Sequence, residues 1–277
     1  MKKINLITHQ QKKYESVYQA DFDDYGLPDR KIEDSQILEG KHILNLGGGT
    51  ANDIWYLASR NWAVGMDYSL SGLKAGGRHG IQGVIIDLNL QLKLPFEVSS
   101  FDVVICKDIL EHVLEPLNVL KEVRRVLKDD GFVIISVPNH FYFPLRLRIL
   151  FGKGLRWKAI GSDHTQDYDE WNYMHIRFFT FNGFKRLLST AGFQPEKWFW
   201  DFGELAHYSN PDMWLEPQQW KQSQGLAVSR RGKIGLQVIK PAWKGFNFIF
   251  PRSLRSKIVS LSPGLMCAGF YVRVRKA

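Results

Sequence analysis

A glycine-rich turn behind a buried strand constrains this chain more than any other sequence feature. The apolar run His42–Leu46 predicts the strand, and Gly47, Gly48 and Gly49 end it before a helix predicted at 53–60. Glycine lets the backbone pass close to a bound ligand because it has no Cβ. On its own such a turn is weak evidence for a ligand site, since tight turns that bind no ligand also contain glycine.

Apolar runs and helical segments alternate along the rest of the chain. Further strands are predicted at 62–66, 83–86, 101–106, 132–137, 198–200 and 268–275, and helices at 71–77, 116–127 and 178–192, with a turn at 129–131. Strands alternating with helices predict βαβ units. We therefore expect an α/β fold, Rossmann-like, with a mostly parallel seven-stranded sheet, helices on both faces and a ligand crevice at the carboxyl ends of the strands.

The composition divides the chain into parts. We expect an N-terminal cap over 1–40, a domain formed by 41–204 and 263–277, and a basic aromatic insertion over 205–262. Residues 140–176 are aromatic, basic and irregular, and we expect them to cover the crevice. The sequence shows no secretory signal and no run of about 20 apolar residues that could span a membrane. Two cysteines are too few for a disulfide framework.

Polar residues follow successive predicted strands. Asp67 ends the second strand about twenty residues after the glycine turn, where a carboxylate can accept hydrogen bonds from ribose hydroxyls. Asp87 ends the third strand and could reach an adenine amino group. The pattern Gly-x-Gly-x-x-Gly is absent, since Asn52 stands three residues after Gly49. This spacing argues against a nicotinamide enzyme, whose diphosphate needs a close glycine.

The stretch Ile43–Asn139 resembles the class I S-adenosylmethionine-dependent methyltransferases, with a core of the type 11, quinone-methyltransferase kind. The segments "LPFEVSSFDVVICKDILEHV", "VRRVLKDDGFVIISVPN" and "HIRFFTFNGFKRLLSTAGF" follow in the order typical of that family. The resemblance implies S-adenosylmethionine as cofactor. The donor-binding residues that it implies are Asn45, Gly47, Gly48, Gly49, Asp67, Tyr68, Asp87, Leu88, Lys107 and Asp108. These motifs specify the superfamily and not the substrate.

Two residues depart from the family pattern. Asn45 stands where the family usually has an acidic residue, and Ala51 where it has a third glycine. Asparagine can still form hydrogen bonds, but it loses the charge attraction to the donor's ammonium and sulfonium. These departures leave open a donor-binding protein that has lost catalysis and acts as a partner.

Histidines are the candidate catalytic residues, because methyl transfer to oxygen or nitrogen often needs a base. We select His112, His164 and His175, and His140 is a further candidate. On a helix, Asp108, Glu111 and His112 would share one face. Related quinone-modifying O-methyltransferases have a similar cluster that can hold a divalent metal. We favour a structural role here and predict no metal.

Charge is distributed unevenly along the chain. Residues 141–277 hold 21 of the 37 Lys and Arg residues but only 9 of the 28 Asp and Glu residues. Cations interleaved with aromatic residues, as in 141–157 and 217–277, suit an anionic membrane surface or an anionic amphiphile. Single-stranded nucleic acid fits less well, because no known RNA-binding module accompanies these residues. We expect a cytoplasmic protein with peripheral membrane association.

These observations predict an O-methyltransferase that acts on a glycan, a lipid-linked sugar or another anionic amphiphile. The alternative acceptor is a small aromatic compound such as a quinone-like phenol. Neither composition nor spacing separates the two acceptor classes.

Overall fold

The computed structural model describes residues 38–51, 53–91, 93–155, 175–200, 237–238, 241 and 252–277. Most of the predicted cap and insertion lies outside the described residues, as do His164 and the basic residues 230–233. Within the described ranges, no helix is both long and apolar enough to cross a bilayer.

Seven strands form one sheet. They are β1 (His42–Leu46), β2 (Trp62–Asp67), β3 (Gln82–Ile85), β4 (Phe101–Lys107), β5 (Leu127–Pro138), β6 (Phe193–Trp198) and β7 (Gly269–Lys276). The sheet order is β3-β2-β1-β4-β5-β7-β6. The first five strands are parallel, and β7 runs antiparallel to both β5 and β6. The predicted α/β class and the mostly parallel seven-stranded sheet are confirmed.

Six α-helices are described. They are α1 (Leu70–Gly77), α2 (Pro116–Val126), α3 (Phe143–Leu150), α4 (Phe181–Thr190), α5 (Arg252–Leu261) and α6 (Pro263–Met266). The helix predicted at 53–60 is wrong, because only a single 3-10 turn forms, at Trp55–Leu57. Ile54 at its start gives no side-chain cap, and aromatic residues lose side-chain freedom in a helix. Part of the segment expected to be irregular after residue 140 is helix α3.

The turn predicted at 129–131 is also wrong, because these residues belong to β5. Contacts with the neighbouring strands β7 and β4 hold residues 129–131 in the strand. Lys276 of β7 forms an ion pair with Asp129, and a guanidinium nitrogen of Arg275 donates to the Asp130 carbonyl at 2.7 Å. On the other side, the pairing of β4 with β5 shifts register between Phe101 and Val103. The tertiary contacts therefore override the local turn preference of the sequence.

Apolar side chains pack on both faces of the sheet, as expected for central parallel strands. One face holds Leu44 and Leu46 of β1, and the opposite face holds Ile43. Val259 of α5 joins the first of these clusters. The end of the predicted insertion therefore contributes to the core of the domain.

Asn139, just after β5, connects that strand to α6 and to the residue that follows it. Its side-chain Nδ2 donates to the carbonyls of Gly264 and Cys267, at 3.1 and 2.7 Å. Its Oδ1 accepts a hydrogen bond from Phe141 N at 2.9 Å. Asn139 is only 2% exposed, so water cannot replace these bonds. This residue fixes the direction in which the chain leaves the sheet toward α3.

We expect Asn139→Ala to lower the free energy of unfolding by about 2–4 kcal/mol, because it leaves buried backbone groups without partners. Gln194→Ala, which removes an exposed amide, is the control and should change stability by less than about 0.5 kcal/mol. Chemical denaturation of both variants is the measurement. Equal stability of the two variants would show that Asn139 does not hold this connection.

Candidate active site

The glycine turn after β1 has three residues in the left-handed backbone region. The φ angles are 71° at Gly47, 53° at Gly49 and 61° at Ala51. A Cβ built on Gly47 would lie 2.5 Å from the Ile109 side chain. The conformation at Ala51 is one that glycine adopts more easily, although this chain has alanine there.

Asp67, at the end of β2, binds this turn directly. One carboxylate oxygen accepts from Gly49 N and the other from Ser69 N, each at 2.9 Å. Ser69 in turn caps α1, because its hydroxyl accepts from Gly72 N at 3.1 Å. The carboxylate thus joins the glycine turn, the end of β2 and the start of α1.

A pocket opens at the carboxyl ends of β1, β2 and β4. It is lined by Gly47, Met66, Asp67, Tyr68, Ile86, Asp87, Leu88, Asn89, Ile109, His112 and Val113. Six of these residues were selected from the sequence: Gly47, Asp67, Tyr68, Asp87, Leu88 and His112. The lining combines the carboxylates of Asp67 and Asp87 with aliphatic side chains, a combination that suits a nucleoside.

Asn89 is a pocket residue that the sequence analysis missed. Its backbone N donates to Asp87 Oδ1 at 2.8 Å, and its Oδ1 accepts from Leu114 N at 2.7 Å. It therefore joins the loop after β3 to the segment after β4. The pattern Asp-x-Asn, which favours turns of this kind, was the only available signal.

Five residues predicted to bind the donor do not line the pocket: Asn45, Gly48, Gly49, Lys107 and Asp108. Asn45 is 1% exposed beneath the turn, and its Nδ2 has no hydrogen-bond partner among the described residues. Lys107 forms an ion pair with Asp53. Asp108 Oδ1 accepts from the Ser136 hydroxyl at 2.9 Å. In this structure the side chains of Lys107 and Asp108 contact other protein side chains.

Three histidines meet beside the pocket. His112 lines it, and its ring centroid lies 4.8 Å from that of His175. His140 Nε2 and His175 Nδ1 are 2.8 Å apart, within hydrogen-bond distance. The structure therefore brings together two of the three predicted catalytic histidines and adds His140.

The expected helical face of Asp108, Glu111 and His112 does not form. Asp108 has a φ of 49°, and a single 3-10 turn follows at Leu110–His112. Glu111 is 1% exposed, and its carbonyl accepts from Ile176 N at 2.8 Å. Burial, with the Asp108 charge second, raises the pKa of the Glu111 carboxyl well above its usual range. Glu111 therefore connects the segment after β4 to the segment that carries His175.

Glu111, His112 and His175 could together hold a metal ion. Each offers one ligand atom, and these atoms lie within 4.8 Å of one another. Carboxylate and imidazole are ligands that suit divalent transition metals. The prediction of no metal therefore stays a prediction.

Burial also controls the histidine charges. It lowers the pKa of His140 from 6.5 to about 4, and that of His175 from 6.5 to about 3, with His112 adding to both shifts. Both rings are therefore neutral near pH 7. A hydrogen bond between two neutral imidazoles requires one nitrogen to donate and the other to accept, which couples their tautomers.

Comparison with known proteins identifies the family that this part of the chain resembles. Residues 44–135 match the family model described as a methyltransferase domain. They include the glycine turn, Asp67 and the β4 end. Over these residues the chain is similar to methyltransferase domains. S-adenosylmethionine is the cofactor that this family implies.

Two of the curated relatives that this chain matches are named for quinone methylation. A ubiquinone biosynthesis O-methyltransferase of Histophilus somni is 28% identical over 154 residues, which cover 52% of this chain and 59% of that protein. A demethylmenaquinone methyltransferase of Bacillus velezensis is 28% identical over 194 residues, covering 64% of this chain and 82% of that protein. The chain spans about half the length of the curated relatives it matches first.

A solved structure supports the fold. The methyltransferase domain and its neighbouring elements resemble a SAM-dependent methyltransferase from Methanosarcina mazei, with a TM-score of 0.51. The two are 16% identical, and the match covers 87% of this chain and 94% of the other. At this identity the likeness concerns the fold alone.

The histidine pKa values predict an acid-sensitive fold. The unfolded chain binds more protons than the folded one between the folded values and pH 6.5, so stability should fall as pH drops. We expect a loss of about 2 kcal/mol for each histidine between pH 7 and pH 5. Denaturation with a chelator present, at a series of pH values, measures this loss.

His140→Asn should reduce the acid-induced loss by about 2 kcal/mol, because one of the two titrating groups is gone. His79→Asn replaces an exposed histidine and should keep the wild-type decline. If His140→Asn loses stability as steeply as the wild type, His140 is not held neutral by burial.

Proposed function

We propose that this chain transfers a methyl group from S-adenosylmethionine to a hydroxyl of a small, quinone-like phenol. The main support for this proposal is the pocket where Asp67 and the glycine turn meet at the ends of β1 and β2. The match to a methyltransferase domain includes this part of the pocket. The two named relatives support the acceptor class.

The residues that line the pocket suit the ribose and the adenine of S-adenosylmethionine. Asp67 uses both carboxylate oxygens for backbone N–H groups, but a carboxylate has about four acceptor positions. It can therefore accept further hydrogen bonds from ribose hydroxyls. Ile86, Leu88 and Ile109 offer an apolar slot for a purine face, and Asp87 offers an acceptor for its amino group.

When bound, the donor supplies a methyl group made electrophilic by the positive charge on its sulfur. The chain must orient the acceptor hydroxyl and take up its proton. We assign the role of the base that takes up this proton to His112, because its ring lines the pocket. His175 and His140 pack behind it and keep its orientation. His164 stays a candidate outside the described residues.

Glycans, lipid-linked sugars and other anionic amphiphiles remain a second acceptor class. The feature that favours them is the segment after β5, where exposed Phe143 and Phe151 stand beside arginines. Aromatic faces can stack on sugars, and guanidinium groups can pair with phosphate. A loss of catalysis is less favoured, because Asn45 and Ala51 do not line the pocket.

Donor binding tests the role of Asp67. A hydrogen bond to a charged group contributes about 1.5–3 kcal/mol, so Asp67→Ala should weaken S-adenosylhomocysteine binding at least tenfold in calorimetry. Asp129→Ala, which removes a carboxylate remote from the pocket, is the control and should bind like the wild type.

Because Asp67 also holds the glycine turn, the test needs a ligand that lacks the ribose hydroxyls. The wild type should bind the dideoxy analogue of S-adenosylhomocysteine at least tenfold more weakly than the parent compound. Asp67→Ala should bind the two ligands about equally. If the variant still distinguishes them as strongly as the wild type does, the ribose assignment is wrong.

Turnover tests the reaction and the acceptor. We expect S-adenosylhomocysteine to form with catechol-like phenols, and His112→Ala to lower kcat about a hundredfold at saturating donor. Turnover with glycans or lipid-linked sugars alone would contradict the phenol assignment. Donor binding without turnover across both acceptor classes would favour the non-catalytic alternative.

A further inference from the structure

Helix α3 has two apolar faces, and the core explains only one. Tyr142 and Leu145 point inward and form a small buried cluster with Leu155 and Ala268. The opposite face carries Phe143, Leu147, Leu150 and Phe151, at spacings of four, three and one residues. Residues three or four apart lie along one side of a helix. Phe151, just after the last helical residue, follows Leu147 by four, so these four form one stripe.

This stripe is open to solvent. The exposed fractions are 48% for Phe143, 36% for Leu147, 75% for Leu150 and 74% for Phe151. Single exposed apolar residues are ordinary on protein surfaces, but a contiguous apolar patch marks an interaction surface. The end of the helix is also fixed, because Gly152 has a φ of 69° and its N–H donates to Ile149 O. The stripe is therefore held on an ordered helix.

The charged residues of the segment 141–155 all have one sign. Arg146, Arg148 and Lys153 flank the stripe, and residues 141–155 contain no Asp or Glu. Arg148 Nε donates to Gly154 O at 3.0 Å, which keeps its guanidinium close to the helix end. A helix with large aliphatic and aromatic side chains on one side and only cations beside them matches an anionic lipid interface.

We propose that the outward face of α3 docks on an anionic lipid bilayer. The apolar side chains would enter the boundary of the acyl chains, and the flanking cations would pair with lipid phosphates. A second copy of the chain is a poorer occupant, because an isologous contact would bring the same cations toward each other.

The docking face lies next to the active site along the chain. Asn139 fixes the start of the segment, His140 contacts His175, and α3 begins at Phe143. If the proposed function holds, an acceptor with an apolar tail could reach the pocket directly from the bilayer. The docking itself does not depend on methyl transfer.

Vesicle binding tests this surface. The probe is co-sedimentation of the full chain with vesicles of phosphatidylglycerol and phosphatidylcholine, compared with phosphatidylcholine alone. We expect the wild type to bind the anionic vesicles at least tenfold more tightly. Leu150→Glu should lose at least tenfold of that binding. Val98→Glu, which changes the charge equally at another exposed apolar residue, 63% exposed, should bind like the wild type.

Two results would overturn the proposal. One is equal binding of anionic vesicles by Leu150→Glu and Val98→Glu, including the case in which neither they nor the wild type bind. The other is a wild-type dimer in size-exclusion chromatography that Leu150→Glu converts to a monomer without any vesicle binding. Calorimetry with S-adenosylhomocysteine on the same variants keeps this test separate from the proposed function, since α3 contributes no residue to the donor pocket.

Discussion

The carboxylate of Asp67 is the interaction on which the rest of the site depends. It accepts one hydrogen bond from the glycine turn and one from the start of α1, so two loops from different strand ends share a single charged group. The backbone at Gly72 packs close to Gly49, where an added Cβ would lie 3.0 Å from a backbone carbon. Turn, strand and helix are thus held together before any ligand binds, which is the preorganisation that donor binding needs.

The acceptor side is organised by backbone contacts and burial. The Glu111 carbonyl holds the segment that carries His175, and His175 contacts His140 at the end of β5. Elements that are distant in sequence therefore meet where an acceptor would enter. Burial keeps the two inner histidines neutral, while His112 faces the pocket. The same end of β5 leads through Asn139 into α3, so the proposed lipid-facing surface and the histidines are parts of one connected structure.

Much of this arrangement could be predicted from the sequence, because short apolar strands and polar strand ends are local signals. His42–Leu46 and Asp67 were placed correctly for this reason. The wrong predictions concern segments whose conformation depends on tertiary contacts. Lys276 of β7 pairs with Asp129 in β5, and Ser136 donates a hydrogen bond to Asp108, which does not join a helical face. Burial of Asn45 beneath the turn and the meeting of His140 with His175 depend on contacts across the sheet. No periodicity or spacing in the sequence encodes them.

The central claim is that the donor binds where the glycine turn and Asp67 meet. A crystal structure of the full chain with S-adenosylhomocysteine tests it most directly. We predict ribose hydroxyls within hydrogen-bond distance of Asp67 and the purine between Leu88 and Ile109. The homocysteine part should point along the glycine turn toward His112. A ligand that occupies another cleft, or that lies in this pocket without contacting Asp67, would contradict the account.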